Sequence, residues 1–187
     1  LEVLPYDNFS PHSEVSSKRL IALRDLLKKN SVTAFSTVPA LFQPFFDKAS
    51  INTLYLEFKE NQKIDRNELI SNLVENGYDP ADLVTKPSSY ALRGSVIDIF
   101  PSNSKYPVRI DLDDDLISSI SIFDTDTQKT LRKINSFIVR PSRGFVLNIN
   151  SIKIFKKNWR SRFKDDGEVF ESVSKGKFVS GIEFYSS

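Results

Sequence analysis

The chain has 187 residues, of which 40% are hydrophobic and 27% charged, which is typical of a soluble globular protein able to bury a core. It has no cysteine and one histidine, His12, which excludes disulfides, thiolate metal sites and chemistry that needs two imidazoles. The formal net charge is only +2, so any contact with nucleic acid would depend on a local basic patch. No apolar run is long enough to span a membrane, and the absence of methionine predicts that the chain is a piece of a longer protein.

The first part of the chain is predicted to alternate strands and helices. Leu1–Leu4 and the β-branched run Val32–Val38 predict buried strands, and Leu41–Phe46 predicts a helical turn. Between the two strands, Glu14–Lys29 predicts a helix. The apolar side of this helix carries Val15, Leu20, Leu23, Leu26 and Leu27.

The middle of the chain predicts one strand, one helix and four further strands. Leu54–Phe58 is the first strand, followed by a helix that Asp65 caps and Gly77 ends. Tyr90–Asp115 predicts two strands joined by a turn rich in proline, asparagine and serine. The last two strands are Ile117–Phe123 and Thr130–Val139. This order predicts a compact α+β unit whose helix covers one face of the sheet.

A basic amphipathic helix is predicted after Pro141. Asn150 caps it, and it runs from Ser151 to about Phe163. Its apolar face carries Ile152, Phe155, Trp159 and Phe163, and its other positions include Lys153, Lys156, Lys157, Arg160, Arg162 and Lys164. A solvated face is the default interpretation of such a helix. Contact with nucleic acid through Lys156, Lys157 and Arg160 is the alternative.

Two arginines in Tyr90–Asp115 give the strongest functional signal. Arg93 is predicted at the start of one strand and Arg109 in the middle of the next, where an arginine must meet water or a partner. Gly94 indicates a bulge that would turn Arg93 outward. No nucleophile, metal cluster or phosphate loop accompanies the pair. The pattern therefore favours a docking surface that holds a partner's carboxylate, with a plain solvated surface as the alternative.

Acidic residues fall in two predicted turns near Arg109. They are Asp111, Asp113, Asp114 and Asp115 in the first group, and Asp124 and Asp126 in the second. Calcium would need about six to eight converging oxygens, usually with a glycine at the bend, so solvated turns are favoured. The same carboxylates could instead order Arg109 or meet a basic partner. His12, close to Glu14, is interpreted as a structural turn residue.

Three segments of the chain resemble the N-terminal part of the bacterial transcription-repair coupling factor (Mfd) family. They are LPYDNFSPHSEVSSKRLIAL, YALRGSVIDIFPSNSKYPVRIDLDDDLISSISIFDTDTQKTL and VSKGKFVSGIEFY, and they occur in the family's order across nearly the whole chain. The second segment is also similar to the excision-repair protein UvrB. The hairpin segment of UvrB, similar to YYDYYQPEAY, is absent, which favours the coupling factor.

The resemblance implies a fold that mixes α+β and α/β parts. A degenerate helicase-like (RecA-like) domain would carry an inserted small α+β domain, in which a helix packs on an antiparallel sheet. Residues 1–54 would be the C-terminal part of domain 1a, residues 55–141 domain 2, and residues 142–187 the start of domain 1b.

The resemblance also implies a non-catalytic adaptor, which recruits UvrA to stalled RNA polymerase in transcription-coupled nucleotide excision repair in the bacterial cytoplasm. RNA polymerase and double-stranded DNA would bind other domains of the longer protein. Its translocase motor, of helicase superfamily 2, would bind ATP and magnesium outside this chain. No catalytic residue, metal, cofactor or membrane partner is expected within the chain. A third interpretation, a UvrB-like enzyme with a working ATP site, would need a GxxxxGK[ST] loop upstream of Leu1.

The family's contact residues can be carried over by position. Arg93 in YALRG and Arg109 in YPVRID match the family's UvrA-contacting arginines, and Asp111 matches an acidic position implicated in the UvrB contact. The family often has an aromatic pair after this acid, as in RLDFFDDE, where this chain has Leu112 and Asp113. We therefore expect a UvrA site made of Arg93, Arg109, Asp111 and Asp113, in which Asp113 weakens or re-tunes the contact.

Overall fold

The computed structural model describes residue 10 and residues 12–28, 31–41, 51, 54–143 and 146–182. The chain divides into two compact units, one of Leu1–Ile51 with Gly144–Ser187 and one of Asn52–Arg143. In chain order, the described elements are α1 (Ser13–Lys28), α2 (Val38–Leu41), β1 (Leu56–Lys59), α3 (Arg66–Glu75), β2 (Asp79–Pro80), β3 (Ser89–Arg93), β4 (Val96–Phe100), β5 (Val108–Asp113), β6 (Leu116–Phe123), β7 (Thr130–Lys133), β8 (Ser136–Val139), α4 (Ile149–Arg162) and α5 (Glu168–Ser174). None of these helices is both long and apolar enough to cross a membrane.

The unit of residues 52–143 contains a six-stranded sheet and a two-stranded sheet. The larger sheet has the order β2-β3-β4-β5-β6-β7, in which only β2 and β3 run parallel, and the smaller one pairs β1 with β8. Antiparallel neighbours joined by short turns account for most of this order, since each strand pairs with the next along the chain. The predicted α+β unit with an antiparallel sheet is therefore confirmed.

Helix α3 covers one face of the large sheet. Leu69 and Leu73 on the helix pack in one buried cluster with Ile97, Ile99 and Ile110 of the sheet. Asp65 begins the helix as predicted, because its carboxylate accepts hydrogen bonds from the backbone N–H groups of Asn67 (2.7 Å) and Glu68 (3.0 Å). Strand residues alternate between faces, so the side chains between these isoleucines lie on the face away from the helix.

Two predicted strand boundaries in this unit are wrong. The predicted first strand of Tyr90–Asp115 is two strands, β3 and β4, joined by a turn at Gly94, so Arg93 ends a strand rather than starting one. Gly94 has a φ of +58° and no Cβ, which suits the turn between the strands and replaces the predicted bulge. The predicted strand Thr130–Val139 is also two strands, because β7 pairs with β6 in the large sheet and β8 pairs with β1 in the small one.

The unit of residues 1–51 and 144–187 has its described core around α4 and α5. The buried residues of this cluster are Phe155, Trp159, Phe170, Val173 and Ile182. Trp159 lies 4.5 Å from Phe163 and 6.0 Å from Phe170 between ring centroids, and its indole N–H donates to the carbonyl of Asp165 at 3.1 Å. The predicted apolar face is therefore confirmed at Phe155 and Trp159, whereas Phe163 at its end is 38% exposed. The helix begins earlier than predicted, because Asn148 rather than Asn150 caps it.

The predictions for residues 1–51 had a mixed outcome. Helix α1 is confirmed, although Val15 and Leu26 on its predicted apolar side are exposed. The predicted buried strand Val32–Val38 is wrong: residues 31–37 form no strand, and Phe35 is 97% exposed. The prediction from β-branched residues fails there because the described part of the chain provides no neighbouring strand to pair with. Leu1–Leu4 and most of Leu41–Phe46 lie outside the described residues.

Candidate functional site

A row of four residues, three of them polar, crosses the large sheet on the face away from α3. The register places Ala91 of β3, Asp98 of β4, Arg109 of β5 and Ser121 of β6 directly opposite one another. In an antiparallel sheet, such directly opposed side chains are close enough to interact. The isoleucines on either side of Asp98 face the helix, so the pattern of β4 (VIDIF) directs one carboxylate to the other face.

Asp98 binds both of the arginines that the sequence singled out. Its carboxylate is fully buried, with 0% exposure. Oδ1 accepts a hydrogen bond from Nε of Arg109 at 2.7 Å, and Oδ2 accepts one from Nη2 of Arg109 at 3.0 Å. Oδ2 also accepts a hydrogen bond from Nη2 of Arg93. The three side chains form one ionic cluster, which we call the Asp98 cluster, with one carboxylate and two guanidinium groups.

Arg109 makes several contacts within the protein. Besides its bidentate contact with Asp98, its Nη1 donates to the backbone carbonyl of Gln128 at 3.3 Å. Its guanidinium carbon lies 4.4 Å from the centroid of the Phe123 ring, a cation–π distance. The hydrogen bonds to Asp98 raise the pKa of Arg109, and its side chain is only 19% exposed. This arginine is therefore a permanently charged and largely structural part of the cluster.

Arg93 is more accessible than Arg109. It is the last residue of β3, and its side chain is 44% exposed. Within the described residues, its hydrogen bond to Asp98 is the only one that its guanidinium makes. The turn beside it is braced by Arg66, whose Nη1 donates to the carbonyl of Gly94 at 2.6 Å. Arg93 thus keeps hydrogen-bond donors that a partner can reach.

The two acidic residues of the expected site lie further along the same face of β5. The carboxylate of Asp111 accepts a hydrogen bond from Oγ of Ser119 at 2.5 Å. Asp113 ends β5 and is exposed, and the turn that follows has Asp114 at a φ of +54°. In that turn Asp115 accepts a hydrogen bond from Nζ of Lys63 at 3.3 Å. The predicted turn at Asp113–Asp115 is confirmed, and Asp113 adds exposed negative charge to the sheet face that carries Arg109.

The second acidic group forms a turn that its own side chains stabilise. Oδ1 of Asp124 accepts hydrogen bonds from the backbone N–H and the hydroxyl of Thr127, each at 2.9 Å, which lower the pKa of Asp124. This is the behaviour expected of an aspartate in a turn. Across the described part of the chain, no group of three or more histidine, cysteine, aspartate or glutamate residues is arranged to hold a metal ion.

The basic residues of α4 lie away from its buried side. Lys157 and Arg160 are exposed and Lys156 is partly exposed, while Phe155 and Trp159 face the core. At 100° per residue, Lys153, Lys156, Lys157 and Arg160 fall within an arc of about 100° on one side of the helix. Within the described residues, none of these side chains forms an ion pair with a carboxylate. Arg160 lies over the ring of Phe170, 5.5 Å from its centroid.

Sequence reasoning found the arginines but missed the residue that joins them. Asp98 carries a signal that could have been read: it is the one charged side chain in the apolar strand VIDIF, with an isoleucine on each side and Val96 and Phe100 two positions away. A lone carboxylate at such a position requires a partner, and the next strand offers Arg109. Phe123 and Gln128, which also contact Arg109, could not be assigned without the register of β5 on β6.

The segment of the chain that contains the Asp98 cluster matches a known protein-family model. Residues 56–145 match the family model described as the UvrB interaction domain. That segment contains both sheets, α3 and the whole Asp98 cluster. Residues 56–145 of the chain are therefore similar to the UvrB interaction domain.

Curated relatives that align with most of the chain include transcription-repair-coupling factors and UvrABC system B proteins. Over 98% of its length, the chain is 34% identical to the transcription-repair-coupling factors of Escherichia coli and Haemophilus influenzae, and it spans 16% of each. Over 93% of its length, it is 29% identical to the UvrABC system protein B of Mycoplasma mycoides, of which it spans 29%. The resemblance to the UvrB-like region of transcription-repair-coupling factors is thus confirmed, and the chain corresponds to a small part of those proteins.

Proposed function

We propose that this chain is a non-catalytic adaptor region of a transcription-repair coupling factor, and that its UvrB interaction domain recruits UvrA. The observation that carries this proposal is the Asp98 cluster, which presents Arg93 on the sheet face opposite α3. An arginine guanidinium with free donors is suited to bind a carboxylate in bidentate geometry. The proposed contact surface consists of Arg93, Arg109, Asp111 and Asp113.

The surrounding functions are proposals about the longer protein. Its motor, a DNA translocase that uses ATP and magnesium, would lie outside this chain, as would its contacts with RNA polymerase and double-stranded DNA. Within this proposal, residues 1–54 and 142–187 are parts of helicase-like domains 1a and 1b, and residues 55–141 are domain 2.

The test is a titration of the chain against cognate UvrA by calorimetry or interferometry. Truncating one partner of a desolvated charge pair costs about 2–5 kcal/mol, and the exposure of Arg93 points to the lower end for this residue. Arg93→Ala should therefore weaken binding by roughly tenfold to a hundredfold. Arg132→Ala is the matched control, since Arg132 is an exposed arginine of the same sheet whose register partner, Ile122, packs on the α3 side.

The outcomes of this titration are distinct. Saturable binding that Arg93→Ala weakens and Arg132→Ala leaves unchanged supports the adaptor function and its surface. No binding by the folded chain refutes UvrA recruitment by this region. Equal affinity of the wild type and Arg93→Ala refutes the surface alone.

The charge of Asp113 can be examined in the same assay. Asp113 is exposed at the end of β5, on the same face as Arg109 and Asp111. If the partner presents a carboxylate to Arg93, this aspartate opposes it, so Asp113→Asn should bind more tightly than the wild type. Unchanged or weaker binding would mean that Asp113 does not face a negative group of the partner.

A second candidate function is nucleic-acid binding through α4. The observation in its favour is the basic arc that includes Lys156, Lys157 and Arg160, whose charges have no carboxylate partner in the described part of the chain. Binding of this kind should lose affinity steeply as salt rises, with a slope of about −0.9 per phosphate contact on duplex DNA. The triple variant with glutamate at these three positions should abolish it and leave UvrA binding intact. Affinity for duplex DNA that salt and this variant do not change would exclude the candidate.

A further inference from the structure

The two arginines of the Asp98 cluster use different numbers of their hydrogen-bond donors within the protein. A guanidinium has five N–H donors. Arg109 directs Nε and Nη2 to Asp98 and Nη1 to the carbonyl of Gln128, and one face of its guanidinium lies against the ring of Phe123. Arg93 uses only Nη2, for its contact with Oδ2 of Asp98. Arg109 therefore directs most of its guanidinium to contacts within the protein, whereas Arg93 keeps one edge of its guanidinium available to a partner.

Burial supports the same division. Asp98 is fully buried, Arg109 is 19% exposed and Arg93 is 44% exposed. The carboxylate cannot reach a partner protein, and Arg109 presents little surface to one. The positive charge of Arg93, in contrast, is anchored at one nitrogen and open to solvent elsewhere. An anchored side chain loses less conformational freedom on binding than a mobile one.

From this geometry we infer that Asp98 is a positioning residue for partner recognition, which holds Arg93 with its free edge toward a carboxylate of UvrA. Arg109 lies behind this contact and holds the carboxylate of Asp98 in place through two hydrogen bonds. The inference rests on the proposed function, since it names the way in which that surface recognises its partner. It also departs from a fork of two equivalent arginines, because only Arg93 makes the bidentate contact with the partner.

An opposite role for Asp98 is physically reasonable and gives the opposite result. If Asp98 merely competes with the partner for Arg93, its removal should free the arginine and tighten binding. If Asp98 positions Arg93, its removal leaves two like-charged guanidinium groups without the anion that fixes them, and binding should weaken. The sign of the effect separates the two roles.

The experiment compares Asp98→Asn, Arg93→Lys and Arg93→Ala with the wild-type chain in titrations against cognate UvrA. Asp98→Asn keeps the shape of the side chain without its charge and should weaken binding by about tenfold or more. Arg93→Lys keeps the charge but lacks the planar fork, and should lose about as much as Arg93→Ala. In the Arg93→Ala background, Asp98→Asn should change affinity by less than about threefold, because Asp98 acts through Arg93.

Several results would overturn the inference. Tighter or unchanged binding by folded Asp98→Asn would do so, as would full affinity of Arg93→Lys. Equal losses from Asp98→Asn with and without Arg93 would show that the aspartate acts through the fold rather than through this arginine. Arg93→Lys alters an exposed side chain and should fold. Full affinity of this variant would therefore refute the bidentate contact even if Asp98→Asn fails to fold.

A second measurement separates this inference from the proposed function. Side-chain NMR of the free chain reports the mobility of the Arg93 and Arg109 guanidinium groups without any partner. Both should be restrained in the wild type, and Arg93 should become mobile in Asp98→Asn. If the wild type does not bind UvrA but shows this pattern, the proposed function fails and the positioning of Arg93 stands. If Arg93 is equally mobile in both proteins, the positioning itself is refuted.

Discussion

Removing the carboxylate of Asp98 should strongly destabilise the unit of residues 52–143. The carboxylate is fully buried and accepts three hydrogen bonds from charged donors. Breaking a buried ion pair costs about 3–5 kcal/mol, but water can reach Arg93 and part of Arg109 once Asp98 is gone. We therefore expect Asp98→Ala to lower the free energy of unfolding by about 2–4 kcal/mol.

Urea unfolding measures this loss directly. With a slope of about 2 kcal/mol per molar urea, the midpoint should fall by roughly 1–2 M at an unchanged slope. Asp111→Ala is the matched control, because Asp111 lies on the same face of the sheet but is only partly buried, and its carboxylate accepts one hydrogen bond, from Ser119. That variant should lose no more than about 1 kcal/mol.

A double-mutant cycle locates the effect. In the Arg109→Ala background, Asp98→Ala should cost less than it does alone, by about 1–3 kcal/mol, because the pair is already broken. Equal costs in both backgrounds would refute the ionic account of this cluster. So would a loss for Asp98→Ala no larger than that for Asp111→Ala.

Two further predictions concern the same unit. Burial raises the pKa of Tyr78 from 10.0 to about 12. The phenol therefore ionises at a lower pH in the unfolded chain than in the folded one, and its contribution to the free energy of unfolding is complete below pH 10. This contribution, roughly 2–3 kcal/mol, is lost as the pH rises to 12. Urea titrations across this range and phenolate absorbance check the prediction, and it is wrong if every tyrosine ionises together near pH 10. Gly77→Ala should destabilise more than Gly94→Ala, which should cost about 1 kcal/mol. Both glycines have positive φ, but an added Cβ lies 2.6 Å from Cγ of Arg143 at Gly77 and meets nothing within 4 Å at Gly94. Thermal unfolding compares them, and equal costs would show that the side chain of Arg143 moves aside freely.

Local signals in the sequence predicted the elements whose structure depends on nearby residues. Asp65 caps α3 because the N–H groups that it accepts from lie two and three residues away. The isoleucines of β4 and β5 alternate with polar residues, so the face that α3 covers follows from the sequence. The aromatic face of α4 is likewise set by helical spacing, and in the structure it packs with α5 in one buried cluster.

Features that depend on distant partners could not be predicted in this way. Thr130–Val139 has continuous strand character, and only the positions of β6 and β1 divide it between two sheets. Val32–Val38 has the composition of a buried strand, but composition cannot supply a neighbour. The sequence did not predict the complete Asp98 cluster for the same reason. Its three members lie on three strands, and only the register brings them together in one site.

The Asp98 cluster also changes how mutations of the two arginines should be interpreted. Arg109→Ala removes a bidentate partner of a fully buried carboxylate and a ring contact with Phe123, so it alters the fold as well as the surface. A loss of binding in that variant would therefore have two explanations. Arg93→Ala removes one hydrogen bond from the same carboxylate, which Arg109 still neutralises, so its effect on folding is smaller. Because the sequence alone does not distinguish the two arginines, only the structure shows that Arg93 is the informative one to change.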